Sequence, residues 1–92
     1  MIPTIAQIRA ARGLLGWSRA ELSTRSGIAS NTIQRVEDGI VDPRASTLEA
    51  LGGALIEGGV QFLMPTTEGG EGVRRVPDGG SRSNSEQGSS SN

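Results

Sequence analysis

The sequence contains no cysteine, histidine, tyrosine or lysine. Without cysteine, the chain can form neither disulfides nor thiolate metal sites. Without histidine, lysine or tyrosine, general acid–base catalysis would depend on carboxylates, which are scattered here without a paired spacing. The glycine-rich segments near the C-terminus lack the following lysine of a phosphate-binding loop. The sequence therefore predicts a protein that is not an enzyme and uses no metal or cofactor.

Long apolar runs and large aromatic side chains are also scarce. No apolar run approaches the roughly 18–20 residues of a membrane span, and the N-terminal residues are too mixed for a signal peptide. We therefore expect a soluble, cytoplasmic protein. Trp17 and Phe62 are the only aromatic residues among 92, and 34% of the chain is hydrophobic. A core of this size favours one small domain built as an all-α, compact bundle of four to five short helices.

The most informative segment is residues 17–39, WSRAELSTRSGIASNTIQRVEDG. Ser18 followed three residues later by Glu21 forms a capping box that opens a short helix. Gly27 suits the left-handed position that ends such a helix. A second helix is predicted over about 29–38. Two short helices that meet at so tight a turn indicate a helix-turn-helix.

The second helix of this motif has a polar outer face. Its apolar residues are Ile33 and Val36, which leaves hydrogen-bonding side chains facing outward in varying degrees: Ser30, Asn31, Thr32, Gln34 and Arg35. Such side chains at the start of a helix are suited to reading base edges in the major groove of DNA. We predict that this helix is the recognition helix of a DNA-binding protein.

Two charged residues are predicted to join the first helix to the recognition helix. Arg12 shares the helical stripe of Ile5 and Ile8, and Glu37 lies one turn beyond Ile33. Because a charge turned towards a core needs a partner, we expect Arg12 and Glu37 to pair. Such a pair would be part of the scaffold.

The remaining elements follow from capping and turn signals. Thr4 with Gln7 is a capping box that opens the first helix, and Ser46 with Glu49 is predicted to open the last one. Residues 60–64, VQFLM, and 72–76, GVRRV, have strand-like composition. This organisation gives three parts: a helix-turn-helix domain over 1–59, a β-hairpin or dimerisation strand over 60–76, and a disordered tail over 77–92 that has too few apolar residues to order itself.

Residues Ile8–Leu63 resemble the repressor/Cro-type, xenobiotic-response-element-like family of helix-turn-helix transcriptional regulators. The resemblance rests on the order and spacing of IRAARGLLGWSRAEL, RSGIASNTIQRVEDG, STLEAL and GVQFL. It implies a phage-repressor-like helical bundle that binds operator DNA, usually as a dimer.

The resemblance also implies roles for particular residues. Base contacts fall at the start of the second motif helix and one turn on, which here are Ser30, Asn31, Thr32, Gln34 and Arg35. The family usually has glutamine where this chain has Arg19, which could hold either phosphate or guanine. Arg44 after Pro43 is either a phosphate contact or a plain loop residue. Ala29 stands where the family often has a capping serine or threonine, so either Ser30 takes over the cap or the helix starts uncapped.

The charge balance supports a second interpretation. The formal net charge is −1, and over residues 1–64 six arginines face six acidic residues. A neutral domain predicts weak non-specific affinity for DNA. The alternative to a DNA-binding repressor is therefore an antitoxin or other interaction module that binds a partner protein through residues 60–76 and the tail. In either case an unpaired strand over 60–64 would leave a hydrophobic edge, so we expect it to pair with 73–76 or with a second subunit and to lie in a homodimer contact.

Overall fold

The computed structural model describes residues 2–77. Four helices are followed by two strands: α1 Ile5–Leu15, α2 Arg19–Ser26, α3 Ser30–Glu37, α4 Ala45–Gly58, β1 Val60–Leu63 and β2 Gly72–Arg75. The strands pair antiparallel, with Val60 opposite Arg75 and Leu63 opposite Gly72. The predicted helices and hairpin are confirmed, although the hairpin makes the fold mostly helical and not purely all-α. The predicted disordered tail lies, from residue 78 on, outside the described residues.

The ends of the first two helices follow the local sequence signals. The Thr4 hydroxyl accepts from the Gln7 backbone N–H, and the Gln7 side chain accepts from the Thr4 N–H, which completes the predicted capping box of α1. The Ser18 hydroxyl accepts from the Glu21 N–H, but the Glu21 carboxylate pairs with Arg25 at 2.7 Å, so the predicted capping box of α2 is only half formed. Gly27 ends α2 with a φ of 77°, a left-handed conformation that glycine adopts without strain.

The predicted start of the last helix is wrong. Helix α4 begins at Ala45, with Arg44 as its N-cap residue and no side-chain cap, so Ser46 lies inside the first turn. Pro43 has a fixed φ that is compatible with the start of a helix. The helix can therefore begin soon after Pro43, one residue before the predicted cap Ser46.

One core joins all the elements. Its central side chains are inaccessible to solvent and come from α1, α2, α3 and α4: Ile8, Leu22, Ile33, Leu51 and Leu55. Val60 of β1 extends the core to the hairpin. Trp17 packs at its edge against α4, since a Cβ added to Gly58 would lie only 2.5 Å from the Trp17 ring. Glycine at 58 is therefore needed for the close approach of this ring.

Hydrogen bonds attach the hairpin to one side of α1. The Gln7 side chain is buried and its amide donates to the carbonyls of Leu63, at 3.0 Å, and Gly72, at 2.8 Å. At the other end of α1 the Arg75 guanidinium donates twice to the Leu14 carbonyl. A two-stranded hairpin is marginal alone, so these bonds and the burial of Val60 supply the support that it needs.

Two adjacent glycines in α4 give a test of this packing. A Cβ at Gly52 would lie 2.9 Å from Pro3 Cγ, whereas one at Gly53 would meet nothing within 4 Å. We expect Gly53→Ala to raise the free energy of unfolding by about 1 kcal/mol, because alanine is the better helix former. Gly52→Ala should lower it by about 1 kcal/mol, since the strain of overpacking exceeds that gain. Urea denaturation at low protein concentration measures both variants, and equal shifts in the two would contradict the packing of Pro3 on α4.

Among residues 2–77, no helix combines the length and the apolar composition that a membrane crossing requires.

Candidate nucleic-acid interface

Helix α3 has one buried side and one exposed side. Ile33, Val36 and Glu37 are buried. The side chains on the opposite arc, at positions 30, 31, 34 and 35, are exposed, and Thr32 is half-buried between the two sides. Of the residues predicted to face outward, Ser30, Asn31, Gln34 and Arg35 therefore share one open surface of the helix, with Thr32 at its edge. We call the four exposed residues the recognition face.

The N-terminus of α3 is not capped by a side chain. Ala29 is its N-cap residue, and within residues 2–77 no side chain caps the first turn. Of the two alternatives that the sequence leaves open, the uncapped start is the one observed, so the Ser30 hydroxyl does not take over the cap. Backbone N–H groups at an uncapped helix start can donate to an anion such as a phosphate.

Glu37 anchors α3 to both of the preceding helices. Its carboxylate is fully buried and accepts two bonds from Arg12 of α1, at 2.9 Å from Nε and 2.8 Å from Nη2. It accepts a third, at 3.1 Å, from Nε of Arg19 in α2. The predicted Arg12–Glu37 pair is confirmed, and Arg19 joins it. One carboxylate thus connects α1, α2 and α3 and fixes the orientation of the recognition face.

The electrostatics of this cluster keep Glu37 ionised. Burial disfavours the charged form of the Glu37 carboxyl, but the hydrogen bonds from Arg12 and Arg19 outweigh it, so its pKa lies below the usual value. The hydrogen bond to Glu37 in turn raises the pKa of Arg12. Arg12 also donates to the Trp17 carbonyl at 3.1 Å, which ties the end of α1 to the start of α2.

The structure places Arg19 in two environments at once. Its Nε is held by Glu37 and its Nη2 lies 3.8 Å from Asp38, yet 37% of the side chain is exposed. The guanidinium N–H groups that point to solvent can still donate to a phosphate. Arg44 is exposed beside the start of α4. Neither residue belongs to the recognition face, which is made of α3 residues alone, although Arg19 contacts the C-terminal end of α3 through Glu37 and Asp38.

Sequence reasoning missed two contributors to this cluster, the bond from Arg19 and a bond from Arg9. Arg9 donates from Nη1 to the Glu37 carbonyl at 3.0 Å. Because Arg9 lies three residues before Arg12, the two project from the same side of α1. That spacing is a signal that could have predicted its contact with α3.

Comparison with known proteins identifies the family of this chain. A sequence model of the helix-turn-helix family matches residues 8–55, slightly more than half of the chain. No curated protein matches the sequence of this chain. The chain belongs to the Cro/repressor-type helix-turn-helix family, as the sequence resemblance predicts.

Family membership marks the chain as a DNA-binding transcription regulator. The matched segment begins in α1 and ends near the end of α4. It therefore includes the two helices of the motif, the Glu37 cluster and the whole recognition face. The family is regulatory and not typically enzymatic.

Proposed function

We propose that this protein is a sequence-specific transcriptional repressor that binds operator DNA as a homodimer, with α3 in the major groove. The observation that carries the proposal is the recognition face. It presents four polar side chains to solvent on a helix that is held rigidly from behind by the Glu37 cluster. A repressor of this kind acts by occupancy of its operator, and we place it in the cytoplasm.

We assign to Asn31 and Arg35 of the recognition face the contacts that discriminate most strongly between bases. Asn31 can form a bidentate pair with adenine and Arg35 with guanine. Because they are four residues apart, they stack along the same side of α3, and both are exposed. Ser30, Thr32 and Gln34 would supply weaker or neighbouring contacts.

Arg19 and Arg44 are assigned to phosphates. Arg19 is half-buried and Arg44 is exposed, and neither is among the four residues of the recognition face. Contacts to phosphates position a protein on DNA without reading its sequence. Within residues 2–77, neither Arg35 nor Arg44 forms a salt bridge, so both charges are free to neutralise DNA although the domain as a whole is neutral.

The second candidate function is a protein-interaction module, such as an antitoxin, in which DNA binding is secondary or lost. The observation that favours it is the balance of six arginines against six acidic residues in residues 1–64. In such a module the hairpin and the residues that follow it would bind the partner protein.

A salt titration of binding to the chain's own promoter DNA separates the two candidates. We expect specific binding that weakens linearly with the logarithm of salt concentration. Arg44→Ala should weaken binding to all sequences alike. It should also reduce the slope of log K against the logarithm of salt concentration by about 1 for each Arg44 that contacts a phosphate. Arg25→Ala is the matched control, because Arg25 pairs with Glu21 and lies 4.5 Å from the centre of the Trp17 ring. Equal binding to promoter and random DNA would contradict the repressor and favour the interaction module.

A further inference from the structure

An apolar groove lies between the last turns of α4 and the hairpin. Its volume is about 480 Å³, and its lining residues are Ile56, Val60, Gln61, Phe62 and Val76. Four of these five side chains are hydrophobic. A patch of this kind, open to solvent on so small a protein, is typical of an interaction site.

One wall of the groove is a large exposed side chain. Ile56 is 54% exposed, whereas Leu51 and Leu55 on the same helix are inaccessible to solvent. Gly53 lies one turn before it, exposed and with open space around the position of a Cβ. A glycine within a helix costs about 1 kcal/mol relative to alanine, and no packing among the described residues requires it at 53. The surface of α4 beside Gly53 is therefore open to close approach by another chain.

The chain's own C-terminal segment is unsuited to this groove. Val76 is part of the lining, and residues 78–92 follow it closely in the sequence. Their sequence, DGGSRSNSEQGSSSN, contains no hydrophobic side chain. Burying such polar groups against apolar walls would cost free energy, so residues 78–92 are unsuited to fill the groove.

The groove is also separate from the recognition face. Gln7 and Leu14, which bind the hairpin, lie on one side of α1, because residues seven apart are two helical turns apart. Arg9 and Arg12, which bind Glu37 of α3, lie on the other side of α1. An occupant of the groove would therefore leave the recognition face free for DNA.

The charged residues next to the two walls of the groove are opposite in sign. Glu57 follows Ile56 on α4 and is exposed. Arg74 lies on the exposed face of the hairpin, where its Nε donates to the Gln61 side chain, part of the groove wall, at 2.8 Å. A surface with a projecting apolar side chain, an apolar groove and opposite charges at its two edges is complementary to itself. In a two-fold contact each of these features would occur twice.

We propose that a second copy of this chain fills the groove. In this two-fold contact Ile56 of each copy enters the groove of the other, and Glu57 of each copy faces Arg74 of the other. This inference takes the expectation of a homodimer from the proposed function. What it adds is the contact surface between the two copies, which is the groove.

The first test replaces the projecting side chain in the full 92-residue chain. Ile56→Arg should raise the dimer dissociation constant at least about tenfold, as the loss of a buried interface anchor does. Ile40→Arg is the matched control, since Ile40 is 64% exposed on the turn after α3, and it should leave the dissociation constant unchanged. Sedimentation equilibrium without DNA measures both, and circular dichroism checks that both are folded. A parent that is monomeric at every concentration, or equal effects of the two variants, would overturn the proposal.

The second test exchanges the charges. Glu57→Arg alone and Arg74→Glu alone should each weaken the dimer, because like charges then meet across the contact. An equimolar mixture of the two variants should form a heterodimer as tight as the parent dimer, because each contact again joins opposite charges. A mixture that associates no better than either variant alone would refute the pairing of Glu57 with Arg74.

These measurements also separate the inference from the proposed function. Sedimentation without DNA reports only the contact between copies. Binding of the recognition-face variants to DNA reports only the function of α3. If the groove does not bind a second copy while operator binding persists, only the dimer contact is wrong.

Discussion

Replacement of Glu37 by alanine is expected to lower the free energy of unfolding by about 3 kcal/mol. This is the lower end of the roughly 3–5 kcal/mol that the loss of one partner from a buried ion pair costs. The lower end applies because the Arg12 side chain keeps 22% of its exposure and can be partly rehydrated. Chemical denaturation of the parent and Glu37→Ala measures the loss. Glu49→Ala is the control, since Glu49 is an exposed glutamate on α4, and it should change stability by less than about 0.5 kcal/mol.

The same residue predicts how stability depends on pH. The pKa of Glu37 is lowered in the folded protein, whereas the pKa of an unfolded glutamate is about 4.3. The unfolded chain therefore takes up the proton first, so the stability that Glu37 contributes is complete well above about pH 4.3 and is lost as pH falls through the lowered folded value. The difference in stability between the parent and Glu37→Gln should narrow on acidification from pH 6 to about pH 3. A difference that is independent of pH would place the Glu37 carboxylate outside the arginine cluster.

Asn31→Ala and Arg35→Ala are each expected to weaken binding to the operator by about 1–3 kcal/mol, chiefly by relaxing the preference at one base position. Both side chains are exposed on the recognition face, and neither packs in the core. The loss should therefore appear in DNA binding and not in folding. Fluorescence anisotropy with operator and single-base variants measures it, and thermal melting verifies that each variant is as stable as the parent.

The control for the arginine is again Arg25→Ala, which removes the same charge from α2. It should weaken binding less than Arg35→Ala does, and equally for every base variant, because a change in net charge acts without reference to sequence. If Asn31→Ala and Arg35→Ala both bind operator and random DNA as the parent does, the recognition face is assigned incorrectly.

The predictions for stability and for DNA binding both concern residues of α3. Its buried side carries Glu37, and its exposed side carries Asn31 and Arg35. The arginines on Glu37 hold the helix by three side-chain hydrogen bonds. Loss of Glu37 should thus weaken DNA binding indirectly, through a looser helix, whereas loss of Asn31 or Arg35 should leave the melting temperature unchanged.

The sequence alone determined the features that depend on residues a few positions apart. The capping box of Thr4 with Gln7 and the glycine end of α2 at Gly27 were predictable because a helix end needs specific hydrogen bonds or a specific φ at one residue. The polar arc of α3 followed from the 3.6-residue period of a helix. The Arg12–Glu37 pair could be predicted because a charge on an apolar stripe needs a partner.

Only the tertiary structure decided which distant groups meet. Arg19 was assigned to DNA from its position in the motif, yet its Nε is held by Glu37, because the angle between α2 and α3 brings the two together. Gln7 was recognised as a helix cap, but its amide also joins two strand ends more than 50 residues away. The groove beside Ile56 arises where α4 and the hairpin meet. Local signals fix the elements one by one, whereas contacts between elements depend on packing angles that no short segment encodes.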